Sequence, residues 1–246
     1  MVSEDYFMAH PAFINNVDAG GWSSELTGIW VGKYESARSD ANGTTTGSAT
    51  TIKVQPGQTS FRSTTIGNMY TYAKAYSTDL KSHMLKNSEW GAVAYLTEST
   101  YGRNGTEIGF NRNSSYLTGG GTGTAYVDSN KLQSSTGNEY GIYDLRGGAY
   151  EYVASYYNGS SSLSNGSSFA SQGGRSNEYA TTYNSSGSTS SNLYYKYGDA
   201  TYETKSWHSD YAGFVHSSAP FFGRGGSANN GSSNSGVFYF YYAYPR

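Results

Sequence analysis

The residues of this chain that could do chemistry are few and thinly spread. Glu151 is the best framed of them, in Arg146-Gly147-Gly148-Ala149-Tyr150-Glu151-Tyr152-Val153. The two glycines permit close backbone approach or a positive φ, and strand alternation puts the two flanking rings on one face and the carboxylate on the other. A carboxylate so held can act as a general base or a metal ligand. It can also be a buried structural acid that accepts backbone N–H bonds in a loop-rich core, and the pattern favours that role. The four histidines, His10, His83, His208 and His216, show no ligand spacing, although His208 and His216 flank an aromatic stretch and could meet in space. There is no cysteine, which removes disulfides, thiolate metal sites and thiol catalysis. Asp40-Ala41-Asn42-Gly43 and Asp128-Ser129-Asn130 offer oxygen ligands at short spacing but lack the acidic residue that completes a calcium loop of the helix-loop-helix kind. They read as Asx turns. No cofactor is expected, with a structural calcium ion left open. The glycine run at 119–123 lacks the preceding strand and following helix that make a phosphate cradle.

The remaining chemistry is that of recognition. From Gly223 onward the chain is Tyr, Ser, Asn and Gly, punctuated by Arg224-Gly225-Gly226 and Gly236-Val237-Phe238. Tyrosine supplies broad, stiff, amphipathic contact, and Ser, Gly and Asn supply adaptable polar edges. The competing reading is a tyrosine-rich strand packed into a low-charge core.

Elements must position these residues. Residues 27–35, alternating and bulky, predict a strand. A helix is expected to begin after Thr64 or Thr65, with Ile66, Met69, Tyr70, Ala73 and Leu80 largely on one face. A second starts at Asn87 or Ser88, with Trp90, Val93, Ala94 and Thr97 on one stripe. From Tyr101 onward short strands and long polar loops follow: a polar excursion already spans 39–48, and 158–191 is almost wholly Ser, Gly, Asn and Tyr. The chain has 246 residues, 32 Gly and 26 Tyr; 16% of it is aromatic and only 14% charged. That aromatic content is ample for a core and argues against disorder. A net charge of −2 leaves no basic footprint for nucleic acid, and no apolar run approaches the ~20 residues that span a bilayer. No signal peptide is visible in the acidic start Met1-Val2-Ser3-Glu4-Asp5.

Four segments carry a family resemblance. Tyr140-Gly141-Ile142-Tyr143-Asp144-Leu145-Arg146-Gly147-Gly148-Ala149-Tyr150-Glu151-Tyr152-Val153 resembles the Gly-Asn-Val-Trp-Glu-Trp signature of formylglycine-generating-enzyme-like (sulfatase-modifying-factor) domains, a branch of the C-type lectin fold. Gly28-Ile29-Trp30-Val31-Gly32-Lys33-Tyr34-Glu35 is similar to that family's opening strand, Lys86-Asn87-Ser88-Glu89-Trp90-Gly91-Ala92-Val93-Ala94-Tyr95 to its second-helix motif, and Arg224-Gly225-Gly226-Ser227 to its near-C-terminal Arg-Gly-Gly-Ser. The catalytic members use paired cysteines, which this chain lacks, and the iron-dependent relatives need histidine ligands. The resemblance is therefore to a non-catalytic sub-group, the variable proteins of diversity-generating retroelements in phages and gut bacteria. In those, adenine-directed mutagenesis diversifies a C-terminal binding face. Tyr244-Pro245-Arg246 stands where the family closes on a Gly-Phe-Arg strand.

These readings together predict an α+β chain of the C-type lectin fold forming one domain over 1–246, with a lead-in at 1–27 and a variable ligand-binding region at 204–246. The resemblance implies target-facing residues Ala228, Asn229, Asn230, Ser232, Ser233, Asn234, Tyr239, Tyr241, Tyr242 and Tyr244. The implied function is non-enzymatic binding of a protein or glycan on a host or neighbouring cell, at an extracellular location, a cell surface or a virion. No nucleic-acid partner and no membrane insertion are expected; homo-oligomerisation stays open. Changing Tyr241 and Tyr242 to Ala is expected to weaken binding and leave the melting temperature nearly unchanged. The alternatives are a structural subunit of a filament or virion decoration and, less favoured, a residual metal-dependent oxidoreductase.

Overall fold

The structure, a computed structural model, describes residues 9–40, 51–120, 125–160, 178–184 and 196–244. The expected loops at 39–48 and 158–191 and the glycine run at 119–123 lie largely or partly outside these residues.

Both predicted helices form. Helix α1, Ile66–Ala75, starts where Thr65 caps it, the side chain accepting from the Asn68 N–H at 3.2 Å. Ile66 and Tyr70 are buried, and Met69 and Ala73 pack beside them. Leu80 does not join that face: the helix ends five residues earlier and the side chain is exposed. Helix α2, Asn87–Glu98, buries Trp90, Val93, Ala94 and Thr97 on one stripe. The Glu89 carboxylate reaches back to the Lys86 N–H at 2.9 Å and satisfies an amide that the first turn would leave unpaired.

The strand expected over 27–35 is absent. The segment is irregular and Trp30 is 97% exposed; among its links to the 140s is the Tyr143 N–H donating to the Lys33 carbonyl at 2.9 Å. Alternation gives a segment strand propensity, but a ladder needs a neighbouring edge in register. The short ribbon of β1, Ala37–Arg38, and β2, Ile52–Lys53, forms just beyond it.

Past a single helical turn α3, Asp128–Lys131, the chain builds a four-stranded sheet in the order β4-β3-β5-β6, from β3 Glu151–Tyr157, β4 Thr181–Tyr183, β5 Phe221–Gly226 and β6 Ser235–Ala243. The β3–β4 pair is parallel and the other two pairs are antiparallel. The architecture is mixed α+β. Because side chains alternate across a strand, β3 sends Val153 and Tyr157 into the cluster around Trp90 and Ala154 and Tyr156 into the cluster around Ile66 and Tyr70. Phe221 and Phe222 divide in the same way. The centre of the sheet is thus covered on both faces, one by α2 and the other by α1.

The β5–β6 ladder contains the irregularity that matters most. Arg224 pairs with Phe240, yet the next residue, Gly225, pairs with Gly236. Val237, Phe238 and Tyr239 are therefore looped out. Their backbone groups are met from elsewhere: the Trp90 indole N–H donates to the Val237 carbonyl at 2.8 Å, and Asp210 Oδ2 accepts from the Phe238 N–H at 3.1 Å.

Candidate functional site

Beyond the β5 glycines the chain turns sharply. Gly226, at φ +82°, lies so close to Asn234 that an added Cβ would stand 2.4 Å from its carbonyl oxygen. The Ala228 N–H donates to the Gly148 carbonyl at 2.8 Å and ties the turn to the Gly-Gly segment before β3. Asn230 Nδ2 donates to the Asn234 carbonyl at 2.7 Å and also to the Tyr150 hydroxyl. Asn229 Nδ2 donates to the Tyr116 hydroxyl at 2.7 Å. From the other side Tyr211 is clamped along β6, its N–H donating to the Ser233 carbonyl at 2.8 Å and its carbonyl accepting from Phe240 at 3.2 Å.

These contacts enclose an open basin of about 550 Å³, lined by Tyr150, Tyr211, Asn229, Asn230, Gly231, Asn234, Tyr239 and Tyr241. Tyr239 is its floor, 2% exposed, with Tyr150 and Tyr211 at ring-centroid distances of 6.2 and 6.5 Å. Burial raises the Tyr239 phenol pKa far above the ordinary tyrosine range, and the hydrogen bond with Tyr150 adds to this. Tyr211 lies 5.6 Å from Tyr241, which stacks on Tyr242 at 4.0 Å.

The sequence-predicted residues divide into four groups. Asn229, Asn230, Asn234, Tyr239 and Tyr241 line the basin. Ser232 and Ser233 are exposed on the short turn Ser232–Asn234 without lining it. Tyr242 and Tyr244 continue beyond it, Tyr242 half-buried against the main core with His216 at 4.7 Å, and Tyr244 56% exposed. Ala228 needs correcting: it is buried, because its backbone serves the turn, and its methyl does not reach solvent. The tail therefore divides between interior and surface. Phe238, Tyr239 and Phe240 are buried, whereas the amides and the flanking tyrosines reach the surface. Stacking and core contact at Tyr242 also remove the basis for expecting a stability-neutral double change at 241 and 242.

Tyr150 and Tyr211 were not among the predicted residues. Tyr150 sits in the motif read for Glu151 and is 43% exposed, while Tyr152 turns into the α1-side cluster. Nothing local in the sequence pairs either ring with the tail; that pairing follows from the β3–β5–β6 register for Tyr150 and from the backbone bonds of Tyr211 to Ser233 and Phe240.

Glu151 is not the acid that binds backbone amides, since its buried Oε2 has no partner among the described residues. That role falls to Glu35, which accepts from the Ala149 N–H at 2.8 Å, and to Asp144, which accepts from the Gly119 N–H at 2.9 Å and from Asn111 Nδ2 at 3.0 Å. Desolvation, and then repulsion by Glu35 and Asp144, holds Glu151 well above the carboxylate range. Its carboxyl occupies the space where a Cβ on Gly225 (φ +72°) would lie, which explains a glycine there. Arg224 is fully buried, donating Nε to Asn87 Oδ1 at 3.0 Å, one terminal nitrogen to the Ala200 carbonyl at 2.8 Å and the other to the Asp199 carbonyl. Burial brings its pKa down to about 10.

The histidines are separately engaged. His208 lies 2.9 Å from Glu98 Oε2, and His216 packs on Tyr242. His83 lies 3.0 Å from Glu89; burial lowers its pKa, but that carboxylate more than offsets this, and the net shift is upward. Asp40 pairs with Arg38 at 3.0 Å, and Asp128 sits 3.4 Å from Lys131 at the start of α3. Among the described residues no three His, Asp or Glu side chains are grouped as metal ligands, and no helix is long and apolar enough to cross a membrane.

Comparison of the chain with protein-family models, with curated proteins and with solved structures returned no match.

Proposed function

We propose that this chain is a non-enzymatic ligand-binding protein, receptor-binding or adhesin-like. Its binding face is the tail surface from Asn229 to Tyr244 together with Tyr150 and Tyr211. One observation carries the reading: five tail side chains and two distant tyrosines converge on a single open basin. A strand that served packing alone would have no reason to gather exposed amides and phenols around a concavity. Rings on a rigid support, with adaptable amides beside them, form the kind of surface that recognition uses, and its energy concentrates in a few aromatic anchors.

We further propose a framework of the C-type lectin kind, displayed at a cell or virion surface. Support for the framework comes from the way the four family-like segments interlock. Glu35 accepts from the Ala149 N–H at 2.8 Å, the Gly147 N–H donates to the Gly225 carbonyl at 3.1 Å, and Arg224 donates to Asn87 at 3.0 Å.

The test uses Tyr211→Ala and Asn234→Ala, both at exposed positions. Asn234→Ala is expected to leave stability within about 0.5 kcal/mol of the parent, and Tyr211→Ala, which gives up ring contacts with Tyr239 and Tyr241, to lower it by about 1 kcal/mol without loss of fold. On an array carrying glycans and cell-surface proteins, whatever the parent binds should be bound at least tenfold more weakly by the variants. Binding that ignores both changes rules this face out.

A further inference from the structure

The chemistry of the basin is narrower than that of a general contact surface. Among the described residues that line it, four are tyrosines, three are asparagines and one is glycine, with no charged and no aliphatic side chain. An anionic ligand would meet no cation there, and an apolar ligand would meet no aliphatic wall of the sort that dominates small-molecule pockets. What the lining does offer is flat apolar faces with hydroxyl and amide edges. The rings are tilted rather than coplanar: Tyr150 and Tyr239 stand at 40°, and Tyr211 and Tyr241 at 53°. Their faces therefore point in different directions around one space. A pyranose has the matching construction, a C–H face that packs on an aromatic ring and a rim of hydroxyls that both donate and accept. Amides and phenols likewise do both.

Size and preorganisation agree with this. A basin of about 550 Å³ lies within the range of roughly 300–1,000 Å³ typical of small-ligand sites. A protein epitope would need some 20–30 residues a side, far beyond this lining. The Asn229 and Asn230 amides are already held by the Tyr116 and Tyr150 hydroxyls, so little freedom remains to be lost when a ligand arrives.

We infer that the basin is a subsite for a neutral saccharide, a refinement that rests on the binding-face reading. Its lining carries no carboxylate, so recognition runs through ring faces and amides rather than through a bridging calcium ion, whose affinity rises with the ligand charge that this lining lacks.

The experiment is a titration of the full chain on an array of neutral and anionic glycans, with and without chelator, in parallel with an array of cell-surface proteins. Expected are binding to neutral glycans, unchanged by chelator, and at least a tenfold loss in Tyr211→Ala and in Asn234→Ala. A Tyr101→Ala control, at an exposed site in a different loop, should bind as the parent does. Thermal melts of each variant establish that a loss of binding is not a loss of fold. Binding confined to anionic glycans, abolished by chelator, or indifferent to both variants overturns the saccharide assignment. If no glycan binds while a protein target is bound and lost in the same two variants, the saccharide assignment falls and the binding face stands. If neither array responds to the variants, both fall.

Discussion

Asp210 is the acid whose replacement tests the electrostatic account most directly. It is buried beneath the looped-out residues of β6, with Oδ2 accepting from the Phe238 N–H at 3.1 Å and Oδ1 without a partner among the described residues. Around it stand Glu107, Arg146, which lies 2.7 Å from Glu107, and the Tyr239 N–H. Desolvation first, and then repulsion by Glu107, raise the Asp210 pKa to about 8; burial likewise lifts Glu107 to about 7. In the unfolded chain an aspartate titrates near 3.9. The folded state therefore binds the extra proton between roughly pH 4 and 8, and by linkage stability from this group is fully present below that window and falls as pH rises through it. Each pH unit inside the window is worth about 1.4 kcal/mol, so between pH 5 and 7 the group costs up to about 2.7 kcal/mol. Asp210→Asn keeps the shape and the acceptor for Phe238 but cannot ionise. Urea unfolding of parent and variant at pH 5, 6, 7 and 8, with m-values compared to verify the same transition, should give a variant whose stability falls less steeply, by about 1.4 kcal/mol per pH unit. Equal slopes for the two proteins refute the assignment of a neutral acid at this position.

Gly236→Ala should destabilise by about 1–3 kcal/mol, because its Cβ would stand 2.0 Å from Asp210 Oδ2. A double-mutant cycle with Asp210→Ala should recover at least 1 kcal/mol of that loss if the clash is the cause. Arg224→Met should cost about 3–5 kcal/mol, read by denaturant midpoint, since it strips the Asn87 side chain and the Asp199 and Ala200 carbonyls of their donor. A loss below 1 kcal/mol would show that water or a shifted side chain replaces the guanidinium.

Local patterns were legible from the residues. The α1 cap to within Thr64 or Thr65, the start of α2 to within Asn87 or Ser88 and its Trp90-Val93-Ala94-Thr97 stripe follow from spacing and capping chemistry, which depend on a few neighbouring residues; the structure takes Thr65 and Asn87. The expectation that the tail serves recognition rested on side-chain type alone. The strand over 27–35 did not form, because propensity describes what a segment can do while pairing depends on which edge the rest of the fold offers it. The role assigned to Glu151 went to Glu35 and Asp144 instead, since which buried acid meets an amide is set by loop geometry around 119–149.

The basin was decided by tertiary structure. Composition shows a tail rich in Tyr, Ser, Asn and Gly, yet which of its rings turn inward depends on one register shift. By looping out Val237, Phe238 and Tyr239, β6 sinks Phe238 into the core and makes Tyr239 a floor. The same sheet order brings Tyr150, nearly ninety residues earlier in the chain, against that floor. Side-chain chemistry is a property of the residue and can be read from its letter; convergence is a property of long-range pairing, which no local window contains.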